Sequence, residues 1–131
     1  MIIADTHIII WHALKPDKLS KKARTAMDEA NRTDGIICSD ISLWEIAMLM
    51  HKGRLLLDVG YMEFIDLVLT SNQYSVKAIT PEIAELSATL FSAQNKDPAD
   101  RIISATSVIE KAKLVTADKF LLQSTQISTI W

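Results

Sequence analysis

The sequence has few features that would cross-link the chain, anchor it in a membrane or mark it for export. Cys38 is the only cysteine in 131 residues, so no disulfide can form within the chain, and a reducing compartment, by default the cytoplasm, is expected. No stretch approaches the ~20 apolar residues that a membrane-spanning helix requires. Residues 1 to 14 are apolar but have no basic leading segment and no cleavage pattern, so we expect no signal peptide.

An excess of positive charge is also absent. Lys and Arg number 14 against 16 Asp and Glu, which argues against a protein held to nucleic acid by overall charge alone. Nucleic acid is not excluded, because a bound metal ion would cancel much of the acidic charge locally. With 49% hydrophobic and 23% charged residues the composition is globular, and the length predicts a single domain over residues 1 to 131.

Short β-rich apolar runs alternate along the chain with longer helical patterns. Strands are predicted at residues 1–4, 36–39, 74–79, 114–116 and within 126–131. Helices are predicted at residues 19–32, 42–52, 61–69, from Pro81 to about Phe91, and from Pro98 to about Lys111. This alternation favours an α/β layer fold with mostly parallel strands joined by right-handed crossovers.

Acidic residues stand at the junctions between these elements. Asp5 and Asp118 each follow a predicted strand, Glu45 lies in the first turn of a helix, and Asp97 and Asp100 open another helix. Ligands of open α/β sheets bind beyond the carboxyl ends of the strands, where the next helices begin. The separated segments are therefore expected to bring their carboxylates to one edge of the sheet.

Most of these acids also have a purely structural explanation. Ser42 and Glu45 have the spacing of a capping box, in which the glutamate reaches back to the backbone amide of the cap residue. Asp97 is a good N-cap, and Asp100 then occupies the third helical position, where negative charge suits the helix dipole. Asp118 could cap a short helix. Helix capping alone does not explain why acids follow several strands at once.

Asp5 argues most strongly for a metal ion. It could simply end a strand, but apolar residues flank it on both sides, and a partly buried carboxylate needs a charge or hydrogen bonds to stay ionised. Clustered carboxylates would repel one another unless a cation joined them. Together with the hydroxyls of Thr6 and Thr116 they form a hard oxygen donor set, which suits Mg²⁺ or Mn²⁺. We expect Asp97 to cap its helix and Asp100 to face the metal.

Four segments carry a family resemblance: DTHIIIWHAL near the start, SLWEIAML in the middle, then DPADRIISAT and LVTADKF. In order and spacing they resemble the PIN-domain ribonucleases, and in particular the VapC-like toxins of type II toxin–antitoxin pairs, over essentially the whole chain. The resemblance implies a three-layer α/β/α fold with a central, mostly parallel sheet. It also implies an endoribonuclease dependent on Mg²⁺ or Mn²⁺, whose catalytic and metal-binding acids are Asp5, Glu45, Asp100 and Asp118.

The same resemblance implies an accessory role for Asp97 and for Thr116 as a polar neighbour, and two protein partners. One is a second copy of the chain in a homodimer, and the other is a cognate antitoxin whose C-terminal segment reaches toward the active site. Cleavage by metal-activated water would leave 5′-phosphate and 3′-hydroxyl ends on the RNA. A 2′,3′-cyclic phosphate would instead indicate metal-free chemistry with a base such as His7 or His12.

Basic and aromatic residues near the proposed site are harder to interpret. Arg101 and Lys119 each follow a proposed ligand, which favours phosphate positioning, whereas the group from Lys15 to Arg24 is more typical of a solvated helix face. Trp11 is expected to be core rather than a surface for stacking bases.

Trp44 is likewise expected in the core. Together with Met48, Met62 and Leu67 it has an alternative place in an antitoxin groove or a dimer contact.

Two functions from other classes remain. A catalytically silent interaction module would keep the fold and use its acids as helix caps. A phospho-receiver domain, also α/β and Mg²⁺-binding, would need adjacent acids after the first strand and an aspartate after a middle strand. The chain has the single Asp5 and no aspartate at the end of residues 74–79, so the receiver is disfavoured.

Overall fold

The computed structural model describes residues 1–91 and 97–131. Within these residues the strands form one five-stranded sheet with the order β3-β2-β1-β4-β5, and every neighbouring pair is parallel. The strands are β1 (Ile2–Ala4), β2 (Ile36–Ser39), β3 (Tyr74–Lys77), β4 (Lys113–Val115) and β5 (Thr129–Ile130).

Helices provide the crossovers between these strands, as parallel pairing requires. They are α1 (Thr6–Leu14), α2 (Lys21–Arg32), α3 (Asp40–His51), α4 (Tyr61–Ser71), α5 (Pro81–Thr89), α6 (Pro98–Glu110) and α7 (Lys119–Gln123), with a short 3-10 helix at Pro16–Lys18. Of the described helices, none is both long and apolar enough to cross a membrane.

The sheet has a hydrophobic core on each face, because successive side chains of a strand point to opposite sides. In β1, Ile2 and Ala4 join the core covered by α1, α2 and α4, whereas Ile3 joins the core covered by α5, α6 and α7. Two helical layers therefore enclose the sheet. The predicted α/β/α fold with a parallel central sheet is confirmed.

Local signals placed most of the elements correctly. Ser20 caps α2, Thr80 caps α5 ahead of Pro81, and Asp97 caps α6, each accepting a hydrogen bond from a backbone amide of the first turn. Gly35 has φ +85° in the turn into β2, and a Cβ there would lie 2.7 Å from the carbonyl oxygen of Gln73. A residue with a side chain would be strained at this position.

The sequence pattern missed helix α1 and misplaced the bounds of several other elements. The segment after Asp5 was assigned no element, but it is helix α1 with Asp5 as its N-cap. Helix α3 begins at Asp40 with Ser39 as its cap, so Ser42 lies inside the helix. Helix α5 ends at Thr89, and the buried residues that follow it are outside the helix.

Candidate active site

A cavity of about 340 Å³ lies at the edge of the sheet where β1 and β4 end. We call it the acidic cavity, because its described lining contains five carboxylates and neither lysine nor arginine. The lining residues are Asp5, His7, Trp11, Glu45, Asp97, Asp100, Ala117 and Asp118. The fold thus brings together all four acids predicted to form the site, together with Asp97.

Asp5 is held in place from two strands. Its backbone amide donates to the carbonyl of Val115 at 3.0 Å, which continues the pairing of β1 with β4. One carboxylate oxygen accepts from the backbone amide of Thr6 at 2.8 Å and so caps α1, and the other accepts from the hydroxyl of Thr116 at 2.7 Å. Both oxygens of this carboxylate are therefore fixed by neutral donors.

Thr116 also positions Asp118. Its hydroxyl oxygen accepts from the backbone amide of Asp118 at 3.1 Å, and the Asp118 carboxylate caps α7 by accepting from the amide of Leu121 at 3.0 Å. The Thr116 side chain is fully buried. Thr116, predicted as an accessory oxygen donor, is thus placed to orient two of the acids.

Glu45 reaches the cavity from α3. The hydroxyl of Thr6 donates to its Oε1, and Ser42 lies 2.9 Å from the same hydroxyl oxygen. Both hydroxyl-bearing residues are buried. The capping-box explanation of Glu45 is wrong, because Ser42 is not the cap residue and the glutamate carboxylate is bound to Thr6 on α1.

Asp97 and Asp100 come to the cavity at the start of α6. The Asp97 carboxylate accepts from the amides of Ala99 at 2.9 Å and Asp100 at 3.3 Å, so it caps the helix as predicted. Asp100 lies at the third helical position and lines the cavity. Asp97 therefore both caps α6 and lines the acidic cavity.

The acids perturb one another. The pKa of Asp5 is raised, chiefly by burial and also by the charge of Asp118, against the hydrogen bonds from Thr116 and Thr6. The pKa of Glu45 is also raised, first by burial and then by the charges of Asp5 and Asp97. Burial is thus the main cause of both shifts, and the charges of neighbouring acids add to it.

Comparison with known proteins identifies the family. The PIN domain profile matches residues 2–123 of the chain. The chain belongs to the PIN domain family. It is also 30% identical over 120 residues, covering 92% of this chain and 88% of the relative, to "Ribonuclease VapC22" of Mycobacterium tuberculosis (strain ATCC 25618 / H37Rv).

Solved structures share the fold of this PIN domain. A "Toxin-antitoxin complex from Klebsiella pneumoniae" matches 98% of this chain and 97% of its own at 20% identity, with a TM-score of 0.67. VapBC2 from Rickettsia felis, bound to a DNA fragment from its promoter, matches the same shares of both chains at 15% identity and a TM-score of 0.73. FitAcB from Neisseria gonorrhoeae matches 98% and 96% at 18% identity, with a TM-score of 0.67.

The carboxylates of this PIN domain are gathered but not tightly clustered. Within residues 1–91 and 97–131, no group of three or more His, Cys, Asp or Glu side chains has an arrangement that could hold a metal ion as it stands. The donors themselves, five carboxylates with neither lysine nor arginine in the described lining, suit a hard divalent cation. Metal binding would require side chains to turn inward toward a common point.

The accessory basic residues lie outside the described lining of the cavity. The guanidinium of Arg101 donates to the carbonyls of Ser87 at 3.4 Å and Ala88 at 3.2 Å in the last turn of α5. Lys119 is exposed at the first position of α7. These contacts give Arg101 a structural role, and phosphate positioning by either residue stays a prediction.

His7 and Trp11 line the acidic cavity. The sequence pattern favoured neither residue as part of the site. His7 is exposed and Trp11 is half-buried, with their ring centroids 6.0 Å apart. Both face the cavity because they lie one helical turn apart on α1, a helix that was not predicted. A helical assignment after Asp5 is the signal that would have found them.

Large apolar side chains are exposed on α3 and α4, and one of them, Trp44, was expected in the core. Trp44 is 58% exposed, Met62 76% and Leu67 52%. The prediction that Trp44 belongs to the core is therefore wrong. Met48 is half-buried on the same helix as Trp44.

Proposed function

We propose that this PIN domain is an endoribonuclease that depends on Mg²⁺ or Mn²⁺ and acts as the toxin of a type II toxin–antitoxin pair. The observation that carries the proposal is the convergence of Asp5, Glu45, Asp100 and Asp118 on one cavity at the carboxyl edge of the sheet. A relative 30% identical over most of both chains is named a ribonuclease, which supports RNA as the substrate.

Asp5, Glu45, Asp100 and Asp118 would hold the cation, which when bound would lower the pKa of a water molecule and would neutralise charge at the scissile phosphate. Before a cation binds, burial and mutual repulsion favour protonation of Asp5 and Glu45.

Two buried threonines position these acids. Thr6 donates to Glu45, and Thr116 donates to Asp5, so each of these carboxylates is held at the cavity by a neutral hydroxyl donor. Hydrogen bonds from neutral donors keep the carboxylates available for a cation. An ion pair with lysine or arginine would compete with the metal for them.

Incubation of the purified chain with total RNA and Mg²⁺ or Mn²⁺ tests the activity. We expect cleavage that leaves 5′-phosphate and 3′-hydroxyl ends, is lost on chelation of the metal, and is lost in Asp5→Asn and Asp100→Asn. Asp66→Asn is the matched control, because Asp66 is an exposed acid on α4 that does not line the cavity. Products ending in 2′,3′-cyclic phosphate would overturn the metal mechanism.

Protein partners form the second part of the proposal. The relatives of known structure include a toxin–antitoxin complex, and Trp44, Met62 and Leu67 expose apolar surface on α3 and α4 that a partner would cover. An antitoxin and a second copy of the chain are the proposed occupants. Sedimentation of the chain alone at twice its 14.6 kDa would support the homodimer, and a Trp44→Ser, Met62→Ser variant should then sediment as a monomer.

A catalytically silent module is the competing function, and specific contacts favour it. Asp97 and Asp118 each cap a helix, and no ready-made metal cluster exists among the described residues. In that function the acids would stabilise the fold only. The response of the melting temperature to added metal separates the two functions, because only a metal site gains stability when the ion binds.

A further inference from the structure

A second cavity adjoins the acidic one and has the opposite charge. Its volume is about 270 Å³, and His7 and Trp11 form part of the wall of both cavities. We call it the basic cavity. The rest of its lining is a mixture of apolar and cationic residues from α1, the 3-10 helix and the end of α3 onward: Ile10, Leu14, Lys15, Lys18, Leu49, Arg54 and Leu55.

The cations of the basic cavity have no carboxylate partner within residues 1–91 and 97–131. Lys15, Lys18 and Arg54 are all exposed, and among the described residues none of them forms an ion pair with a carboxylate. Elsewhere in the same residues such pairs do occur, as between Lys77 and Glu110 at 2.8 Å. Three exposed cations around one cavity suit an anionic ligand.

Trp11 gives the same cavity an aromatic wall. Its ring is half-buried and is reached on one side by the Lys18 ammonium, whose Nζ lies 5.5 Å from the ring centroid. Leu14, on the same helix, adds apolar surface that is 40% exposed. Aromatic and apolar surface beside cations is the combination that binds single-stranded nucleic acid, where bases stack and phosphates pair with the cations.

We propose that the basic cavity binds a nucleotide next to the scissile phosphate of a single-stranded RNA, with its base against Trp11 and its phosphate near Lys15, Lys18 and Arg54. This inference rests on the proposed ribonuclease function, since the shared wall of His7 and Trp11 makes the two cavities one continuous surface. The phosphodiester would be cleaved at the acidic cavity, and the basic cavity would bind and orient the adjoining nucleotide.

RNA binding in a background that cannot cleave tests the site directly. All variants are made on Asp100→Asn, and the probe is a short fluorescent single-stranded RNA of mixed sequence titrated at several salt concentrations with Mg²⁺ present. Lys18→Gln and Arg54→Gln should each weaken binding and lower the slope of log K against log salt by about 0.7 for each phosphate that the variant no longer neutralises. Lys113→Gln is the matched control, because Lys113 is exposed at the opposite, amino-terminal end of β4.

Stacking is tested separately at Trp11. Trp11→Leu should raise the Kd for intact RNA by roughly 5- to 150-fold, the range for removing one base–aromatic stack. Trp11→Phe should restore most of the affinity. An oligonucleotide of the same length with abasic residues has no base to stack, so proteins with Trp11 and with Trp11→Leu should bind it with the same Kd. A purely structural role of Trp11 predicts weaker binding of this oligonucleotide too.

The outcomes separate this inference from the proposed function. If Lys18→Gln and Arg54→Gln match Lys113→Gln in both Kd and salt slope, the basic cavity does not bind RNA and the inference is overturned, even if total RNA is cleaved. If the variants weaken binding as described but the wild-type chain cleaves no RNA, the binding site stands and the nuclease proposal fails. If an apolar protein segment occupies the basic cavity instead of RNA, Lys18→Gln and Arg54→Gln should likewise match Lys113→Gln in Kd and salt slope.

Discussion

The hydroxyl of Thr116 donates a 2.7 Å hydrogen bond to Asp5, 111 positions earlier in the chain, where β4 and β1 end side by side. The same hydroxyl oxygen accepts from the backbone amide of Asp118. One buried side chain therefore sets the positions of two acids of the candidate active site. Parallel pairing of the strands makes this possible, since it brings both carboxyl ends to one edge.

Replacing Thr116 by valine should cost stability and activity together. The change leaves the Asp5 carboxylate without one donor and the Asp118 amide without its acceptor, and an unsatisfied buried polar group costs about 1–3 kcal/mol. Urea unfolding would measure the decrease. Thr116→Ser should recover both properties, and Thr125→Val, at an exposed threonine, should be neutral. Equal stability of Thr116→Val and wild type would show that these hydrogen bonds have little effect.

Divalent metal should raise the melting temperature of the chain. A cation that binds only the folded state at 100 times its Kd adds about 2.7 kcal/mol, which amounts to several degrees for a domain of this size. Differential scanning fluorimetry with millimolar Mg²⁺ or Mn²⁺ would detect the shift. Asp100→Asn should reduce it, whereas Asp66→Asn should leave it unchanged. Absence of any shift in the wild type would favour the silent interaction module.

The fold was largely predictable because its signals are local. Period-two runs, turn residues and caps such as Ser20 and Thr80 mark the elements independently of the rest of the chain. Helix α1 was not predicted because Ile8, Ile9 and Ile10 are consecutive and all buried. The run therefore has no polar face that would show a helical period. Three successive β-branched residues resemble a buried strand.

The acidic residues of the candidate site could be predicted from the sequence, but the other residues that line it could not. Asp5 and Asp118 could be assigned from their places after strands, because the edge of a parallel sheet follows from topology alone. His7 and Trp11 could not, since their approach to the cavities depends on α1 being helical. The binding of Thr6 to Glu45 across 39 positions is a tertiary contact without a local signal.

Asp97 should prove to be a helix cap rather than a required ligand. Asp97→Ala removes the acceptor for the first amides of α6 and should cost about 0.5–2 kcal/mol, whereas Asp97→Ser keeps a capping oxygen and should retain most of the stability. With a cap role alone, Asp97→Ser keeps both RNA cleavage and the metal-induced rise in melting temperature. Loss of that rise in Asp97→Ser, with stability retained, would make Asp97 a ligand.

Cys38 should be unreactive in the folded protein. It lies in β2 with 1% of its surface exposed, and burial, followed by the charge of Asp40, raises the pKa of its thiol to about 12. The thiolate that reacts with disulfide reagents is therefore scarce at pH 8. Ellman's reagent should release no product from the native chain and one equivalent per chain in guanidinium chloride. Fast reaction of the native protein would contradict the buried placement.

Glu45→Gln should stabilise the metal-free protein at neutral pH. The folded-state pKa of Glu45 is raised above its ordinary value of 4.5, first by burial and then by the charges of Asp5 and Asp97. Between the ordinary and the raised pKa the folded chain binds more protons than the unfolded chain, so stability falls as pH rises through this window and the deficit persists above it. Glutamine keeps an acceptor for Thr6 and carries no charge.

The stability gain from Glu45→Gln should therefore be present at pH 7.5 and disappear below pH 4.5, where the unfolded glutamate is also protonated. Thermal melts of both proteins in chelator across this range would measure it. Added Mn²⁺ should reverse the order at pH 7.5, because the glutamate then gains a cation that glutamine binds poorly. Glu63→Gln, at an exposed glutamate of α4, is the control and should show neither effect.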